Sequence, residues 1–281
     1  MNEKNNTHIS ACIVVYNEEQ LIERCLKSVY GFCDEIIVIH DGECQDNTLT
    51  IARKYTDLIY TRPHAGEAEI HRADAYSRAK GEWILSIDAD EFISDASIKI
   101  IKDTINSQND FNCLSLIWPI WNGEKYITSK WPYKPCLFRK SKIHYIAFPH
   151  SEALADGKNG KIPARLEHQP KYCNLSWKSF RSKQKKWINI HAEYLTRDIY
   201  DFDSFNVSGE RKWPLHMNMI IKLKLLSIPI NIIIFLLSYI RQKEVYYTPI
   251  TAFRQLLLCC GYYACVAIEY NRLTPKRGKS Q

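Results

Sequence analysis

Two carboxylates spaced i, i+2, Asp88 and Asp90, follow directly on the mostly apolar run 83–87, and Glu91 stands beside them. The run has the length and composition of a buried strand. Carboxylates are costly to bury unpaired, so the cluster needs a cation, hydrogen-bond donors or water. Hard divalent ions are held by one or two carboxylates together with substrate phosphates. The spacing therefore predicts a metal–diphosphate site at Asp88 and Asp90.

Positioning such a site requires a sheet, and the flanking sequence supplies one. The run 9–15 is continuously apolar, as a strand buried on both faces is. Asn17 is placed to cap the helix that follows, with Glu18 and Glu19 in its first turn and Leu21, Ile22, Cys25, Leu26 and Val29 at helical spacing. A second apolar run, 35–40, ends at Asp41, and Asp46 can cap a helix at 48–55. A short strand at 57–60 and a helix at 67–80, ended by Gly81, precede the run 83–87. Strands alternating with helices imply a parallel sheet with right-handed crossovers. Open sheets of this kind bind ligands at the carboxyl ends of their strands. Tyr16, Asn17 and Glu18, then Asp41, then Asp88 and Asp90 all fall on that edge.

The rhythm changes after a helix at 98–105. Short strands are expected at 113–118, 124–129, 136–139 and 143–148, with Trp118, Trp121, Trp131 and Tyr133 among them. Those rings suit either a core or a groove for sugar faces. The stretch 171–186 carries six basic residues and no acidic one, which fits a solvated helix face or a surface for anionic headgroups. The remainder holds two apolar stretches, 225–240 and 255–268, flanked by Lys224, Arg241 and Arg254. Such helices suit a peripheral membrane anchor, a packed hairpin or a homodimer interface. The first has 16 residues and would extend about 24 Å as a helix. A bilayer core needs about 30 Å, so an interfacial or buried helix is expected, not a spanning one. Three segments result: 1–110 for the nucleotide side, 111–170 for the acceptor side, and a helical 171–281.

With 46% hydrophobic and 25% charged residues the chain is globular in composition. Its net charge of +7 suits an anionic partner without choosing one. None of the ten cysteines forms a C-x-x-C pair, which argues against zinc knuckles and redox motifs and for a reducing cytoplasm. The first eight residues are polar and lack the apolar core of a signal peptide.

Taken in order, Ala11-Cys12-Ile13-Val14-Val15-Tyr16-Asn17-Glu18-Glu19, Ile39-His40-Asp41-Gly42 with Asp46-Asn47-Thr48, and Ala79-Lys80-Gly81-Glu82-Trp83 leading to Asp88-Ala89-Asp90-Glu91 resemble family-two glycosyltransferases with the GT-A fold. Phe148-Pro149-His150-Ser151-Glu152-Ala153-Leu154, the Trp177-Lys178-Ser179-Phe180 stretch and the apolar tail are similar to the branch that includes lipopolysaccharide-core glucosyltransferases. The resemblance implies an α/β, Rossmann-like, mostly parallel sheet with a mixed acceptor region and a helical tail. It implies inverting transfer from a nucleotide-diphosphate sugar, a UDP-sugar, to a glycan or lipid-linked acceptor, with Mg2+ or Mn2+. Tyr16, Glu18 and Asp41 would lie along the nucleotide, Asp41 at the base or ribose. Asp88 would sit near the ribose and diphosphate, Asp90 would bind the metal, and Arg72 would approach the nucleotide. The sequence departs from the family pattern at Glu43, at Ala73 after Arg72, and at Ser151, which separates His150 from Glu152. The Gln-x-x-Arg-Trp signature of processive synthases is absent.

An acceptor hydroxyl needs a general base within hydrogen-bond reach. Glu152 is the first candidate, and a carboxylate deep in a closed site would have the raised pKa that suits a base. His150 and Asp156 are the alternatives. Two other classes compete. A sugar nucleotidyltransferase shares the sheet and the acidic metal site but would carry a glycine-rich phosphate loop, which Val15-Tyr16-Asn17-Glu18 does not offer. A non-catalytic module of the same fold would bind glycan or membrane without turnover. Nothing points to nucleic acid.

Overall fold

Continuous apolar runs make the central strands of this protein, and amphipathic helices cover both faces of the sheet they form. The computed structural model describes residues 7–107, 110–171, 177–242 and 249–274. They group into two compact units, 1–171 with 203–208, and 172–202 with 209–281. The nucleotide and acceptor segments expected from sequence thus share one unit.

In the first unit the elements run β1 (Ile9–Val15), α1 (Ile22–Val29), β2 (Glu35–Asp41), α2 (Thr48–Ala52), β3 (Ile59–Arg62), α3 (Glu69–Arg78), β4 (Trp83–Ser86), β5 (Glu91–Ile93), α4 (Asp95–Asn106), β6 (Phe111–Ile117), β7 (Tyr133–Arg139), β8 (Ile143–Ile146), β9 (Leu154–Ala155) and β10 (Lys158–His168). One sheet has the order β3-β2-β1-β4-β7-β6-β10-β5, and β8 and β9 join β11 (Ser204–Phe205) in a small second sheet. β1 pairs in parallel with β2 and β4, and β2 with β3. β7 runs antiparallel to β4 and β6, which opens the mixed half.

Every residue of β1 is buried. Because successive side chains of a strand alternate in direction, Ala11, Ile13 and Val15 join one core cluster with Leu26 of α1 and Ile101 of α4, while Cys12 and Val14 join another with Ala75 and Tyr76 of α3. Ile22, Cys25, Leu26 and Val29 are the buried stripe of α1, as their spacing predicts.

Several local expectations are corrected. Asn17 does not cap α1, which starts at Ile22; it adopts a left-handed φ of 49° and its side-chain oxygen accepts from the Gln45 N–H at 2.9 Å, tying two strand-end loops together. Asp46 does accept from the Thr48 N–H at 2.8 Å, at the start of α2. Gly81 is not the stop of α3, which ends at Arg78 with Ala79 already extended. It is required by close approach instead: a Cβ there would lie 2.7 Å from the Ser10 backbone nitrogen and 2.9 Å from the His8 carbonyl oxygen. The stretch 124–129 forms no strand, only an isolated bridge between Trp121 and Tyr126. The strands β5 and β10 were not anticipated.

The second unit contains α5 (Trp177–Tyr194), α6 (Leu215–Leu223), α7 (Ser227–Gln242) and α8 (Pro249–Leu273). α5 and α7 pack on α8. Much of the basic stretch 171–186, including the Trp177 to Phe180 side chains, lies outside the described residues. The apolar run 225–240 does not stand alone in the fold. Residues Leu215–Ser238 form a 24-residue helical stretch, long and apolar enough to cross a membrane by length and composition, and only 17% of its most apolar window is buried. The extra length comes from α6, joined to α7 through a short 3-10 turn at Lys224–Leu226, with Lys224 at φ 50°.

Candidate functional site

The carboxyl ends of β1, β2 and β4 meet at one edge, set by the parallel registers Val15↔His40 and Cys12↔Ser86. Tyr16 leaves β1 half-exposed and faces the His64 ring at 4.7 Å between centroids. Its neighbour Glu18 donates its backbone N–H to Thr48 Oγ1 at 2.7 Å, and its carboxylate lies 3.3 Å from Lys171 Nζ. Asp41 ends β2 and is almost fully buried. Its carboxylate accepts from the N–H groups of Ala65 (2.6 Å) and Gly66 (2.9 Å) and contacts His71 Nε2 (2.9 Å) and His64 Nδ1 (3.1 Å). Burial alone would raise its pKa, but those donors outweigh it and hold the carboxyl below its usual value. Asp41 therefore anchors the loop after β3. The resemblance assigns it to the base or ribose; the group presented outward beside Tyr16 is His64.

Beyond β4, Asp88 is held between two cations. Arg72 of α3 reaches Asp88 Oδ1 at 2.7 Å and Ser86 Oγ at 2.8 Å. Lys134 of β7 reaches Asp88 Oδ2 at 2.8 Å and Glu91 Oε1 at 2.6 Å. Burial pushes the Asp88 carboxyl up, yet Arg72 and then Lys134 bring it well below the usual carboxylate range. The Lys134 ammonium is correspondingly raised: burial opposes its charge, and Asp88 and Glu91 more than restore it. Glu91 is fully buried and accepts from Trp118 Nε1 (2.5 Å) and the Asp88 N–H (2.9 Å); burial raises its pKa more than Lys134 lowers it. Glu91 is thus the structural acid of the trio. Both oxygens of Asp88 are engaged by protein cations, and Asp88 anchors Arg72 and Lys134.

That network carries a stability prediction. A carboxyl whose folded pKa is depressed stabilises above its unfolded value, about 3.9, and the contribution is lost as pH falls through the folded value. Asp88→Asn leaves the largely buried Arg72 without its carboxylate and Lys134 with Glu91 alone. We expect a loss of about 3 kcal/mol at pH 7, the low end for a broken buried pair, because Asp88 keeps 30% side-chain exposure. In urea unfolding the deficit should shrink progressively as pH falls below about 4, where the unfolded chain takes up the proton that the folded carboxylate still resists. A deficit that is unchanged across that range would mean Asp88 charge does not matter.

Asp90 has a different neighbour. β10 runs antiparallel to β5 with His168 opposite Glu91, and the Gln169 N–H donates to the Asp90 carbonyl at 3.0 Å. This brings His168 Nε2 to 3.3 Å from Asp90 Oδ2, and the imidazole stacks on Trp118 with centroids 4.2 Å apart. Sequence reasoning missed His168. Its signal was the alternation Ile162, Ala164, Leu166, His168 on the inward face of β10.

A cavity of about 380 Å³ opens beside Asp88. Arg72, Asp88 and Lys134 line one part of it, and His150, Ser151 and Glu152 another. Glu152 is exposed at this wall, so the closed pocket expected around the base is not what the structure holds. His150 adopts a left-handed φ of 58°. Although its surface is accessible, the protein around it lowers its pKa, with Glu69 acting in the other direction. Asp156 does not line the cavity; its side chain is 81% exposed and lies 3.8 Å from His144 Nδ1. Trp118 and Tyr133 do line it, whereas Trp131 is core.

A mostly parallel sheet with a mixed second half, and an acidic strand end beside a cavity, give the GT-A type of fold. The profile of glycosyl transferase family 2 matches residues 10–159, and the chain belongs to that family. An uncharacterized glycosyltransferase of Rickettsia typhi is 37% identical over 217 residues, 73% of this chain and 74% of the relative. Another, of Rickettsia bellii, is 37% identical over 109 residues, 39% of this chain but only 36% of the relative's own length. Among solved structures, residues 1–349 of S. aureus TarS in complex with UDP align over 94% of this chain and 91% of that one at 16% identity, with a TM-score of 0.45.

Proposed function

We propose that this protein is an inverting glycosyltransferase that moves a sugar from a UDP-type donor to a hydroxyl of an envelope glycan or a lipid-linked acceptor. The observation that carries the reading is the placement of Asp90 with His168 at the strand edge, next to a cavity walled by Asp88 and Glu152. The Asp90–His168 separation of 3.3 Å is close to the roughly 3 Å between neighbouring ligands of an octahedral ion with bonds of about 2.1 Å. Asp90 and His168 would hold Mg2+ or Mn2+, whose charge offsets that developing on the leaving diphosphate. Arg72, pre-oriented by Asp88, adds fixed positive charge nearby. Tyr16 and His64 offer flat faces to the base. Glu152 takes the proton of the acceptor hydroxyl as that oxygen attacks from the far wall. The exposed apolar side chains of the 3-10 turn and α7, among them Leu226, Ile233 and Leu237, favour an acceptor presented at a membrane surface, met from the cytoplasmic side.

A panel of nucleotide sugars with Mg2+ or Mn2+ tests the reading by release of nucleoside diphosphate, alongside sedimentation with anionic vesicles. We expect turnover with a UDP-sugar, and at least as much with Mn2+ as with Mg2+, because one ligand is an imidazole. Binding of UDP-sugars without any turnover would favour a non-catalytic module. Protein that stays in the supernatant would remove the membrane from the proposal.

A further inference from the structure

We propose that Lys134 determines donor specificity by donating a hydrogen bond to a hydroxyl of an uncharged hexose seated in the cavity beside Asp88. This rests on the transferase reading above and names the class of sugar it takes. An ammonium group has three protons to donate. Two go to Asp88 Oδ2 and Glu91 Oε1, at 2.8 and 2.6 Å, and these carboxylates fix the group in place. The third is left for the cavity that Lys134 lines.

The sorting of the site follows from which residues the cavity includes. Asp90 and His168 are not among its lining, whereas Asp88, Lys134 and Glu152 are. The diphosphate end of the donor thus belongs outside, at Asp90, and the group between Asp88 and the proposed base belongs inside. That group is the sugar. The volume of about 380 Å³ lies at the small end of ligand pockets. Trp118, Tyr133 and Phe138 give the cavity apolar faces for the C–H side of a pyranose.

Charge selects the sugar class. Arg72 and Lys134 are matched by Asp88 and Glu91. The other ionised groups of the lining are acids, Glu69 and Glu152. A uronate carboxylate would enter with its charge desolvated and two like charges facing it, a costly arrangement. Hydroxyl groups enter without that penalty and meet both donors and acceptors.

The test compares UDP with UDP-sugars on the full chain in Mn2+. Titration calorimetry and donor hydrolysis are measured with UDP, UDP-glucose, UDP-galactose, UDP-N-acetylglucosamine and UDP-glucuronate. Wild type should turn over at least one uncharged donor tenfold or more faster than UDP-glucuronate. Lys134→Met should bind UDP within about twofold of wild type while losing at least tenfold in kcat/KM for the preferred donor. Lys134→Arg should recover part of that loss. Because Lys134→Met leaves Asp88 and Glu91 facing each other, Lys134→Met with Glu91→Gln serves as the second variant, and it should show the same split between UDP and UDP-sugar. Equal losses for UDP and the sugar donor would assign Lys134 to the diphosphate and overturn the proposal, as would a wild-type preference for UDP-glucuronate. Wild type that binds no UDP and turns over no donor would instead bring down the transferase reading, and this assignment with it.

Discussion

Asp90→Asn should lower metal-dependent release of nucleoside diphosphate at least tenfold, with a comparable loss in His168→Ala. Tenfold corresponds to about 1.4 kcal/mol of transition-state stabilisation. The amide keeps the shape of the side chain and removes the charge a hard cation needs. Asp90, in the turn before β5, and His168, at the end of β10, lie 3.3 Å apart, so they should act as a unit. The double variant is then expected to be little worse than either single one, since residues serving one group are strongly non-additive. Raising Mn2+ should recover part of the single-variant loss, which a purely structural defect would not show. Rates equal to wild type in Asp90→Asn would remove Asp90 from the metal site.

Glu152→Gln should reduce sugar transfer to an acceptor by about 10² to 10⁴, the range of general-base contributions. Donor affinity should stay close to wild type, because the residue faces the acceptor side and takes no part in the Arg72–Asp88–Lys134 network. Asp156→Asn should transfer at nearly the wild-type rate. Both carboxylates were open candidates in the sequence, four residues apart; the fold separates them by placing Glu152 on the cavity wall and Asp156 in a solvent-facing turn. Full activity in Glu152→Gln would pass the role to His150, which lines the same cavity. A large loss in Asp156→Asn alone would contradict the placement of the acceptor.

How legible the fold was depended on the range of the interactions. β1, β2 and β4 are short, mostly apolar runs that announce themselves, because a parallel strand is buried on both faces and admits few polar residues. α1 followed from a four-residue stripe. Gly81 was rightly singled out for the wrong reason: local rules make glycine a helix stop, whereas here the approach of the β1 backbone decides. The apolar tail was legible only in part, since the uncharged run begins after Lys224 whereas a further helix, α6, precedes it across the 3-10 turn at Lys224–Leu226. A charge count sees the lysine and not the helix on either side.

The sequence by itself determined the sheet edge and the acids gathered on it. Strand ends, turn residues and helix stripes are written in neighbouring positions, and the direction of each strand follows from the helices between them. Only the tertiary structure decided what each acid does. Lys134 is 46 residues from Asp88, and nothing local announces the pairing. It exists because β7 turns back antiparallel beside β4. His168 reaches Asp90 because β10 folds against β5, a pairing between strands too short or too interrupted to be read alone. Two aspartates that look equivalent in sequence therefore differ in kind. Asp88 is paired with two protein cations at the cavity wall. Asp90 stands beside an imidazole, and in our proposal it is the one that binds a metal.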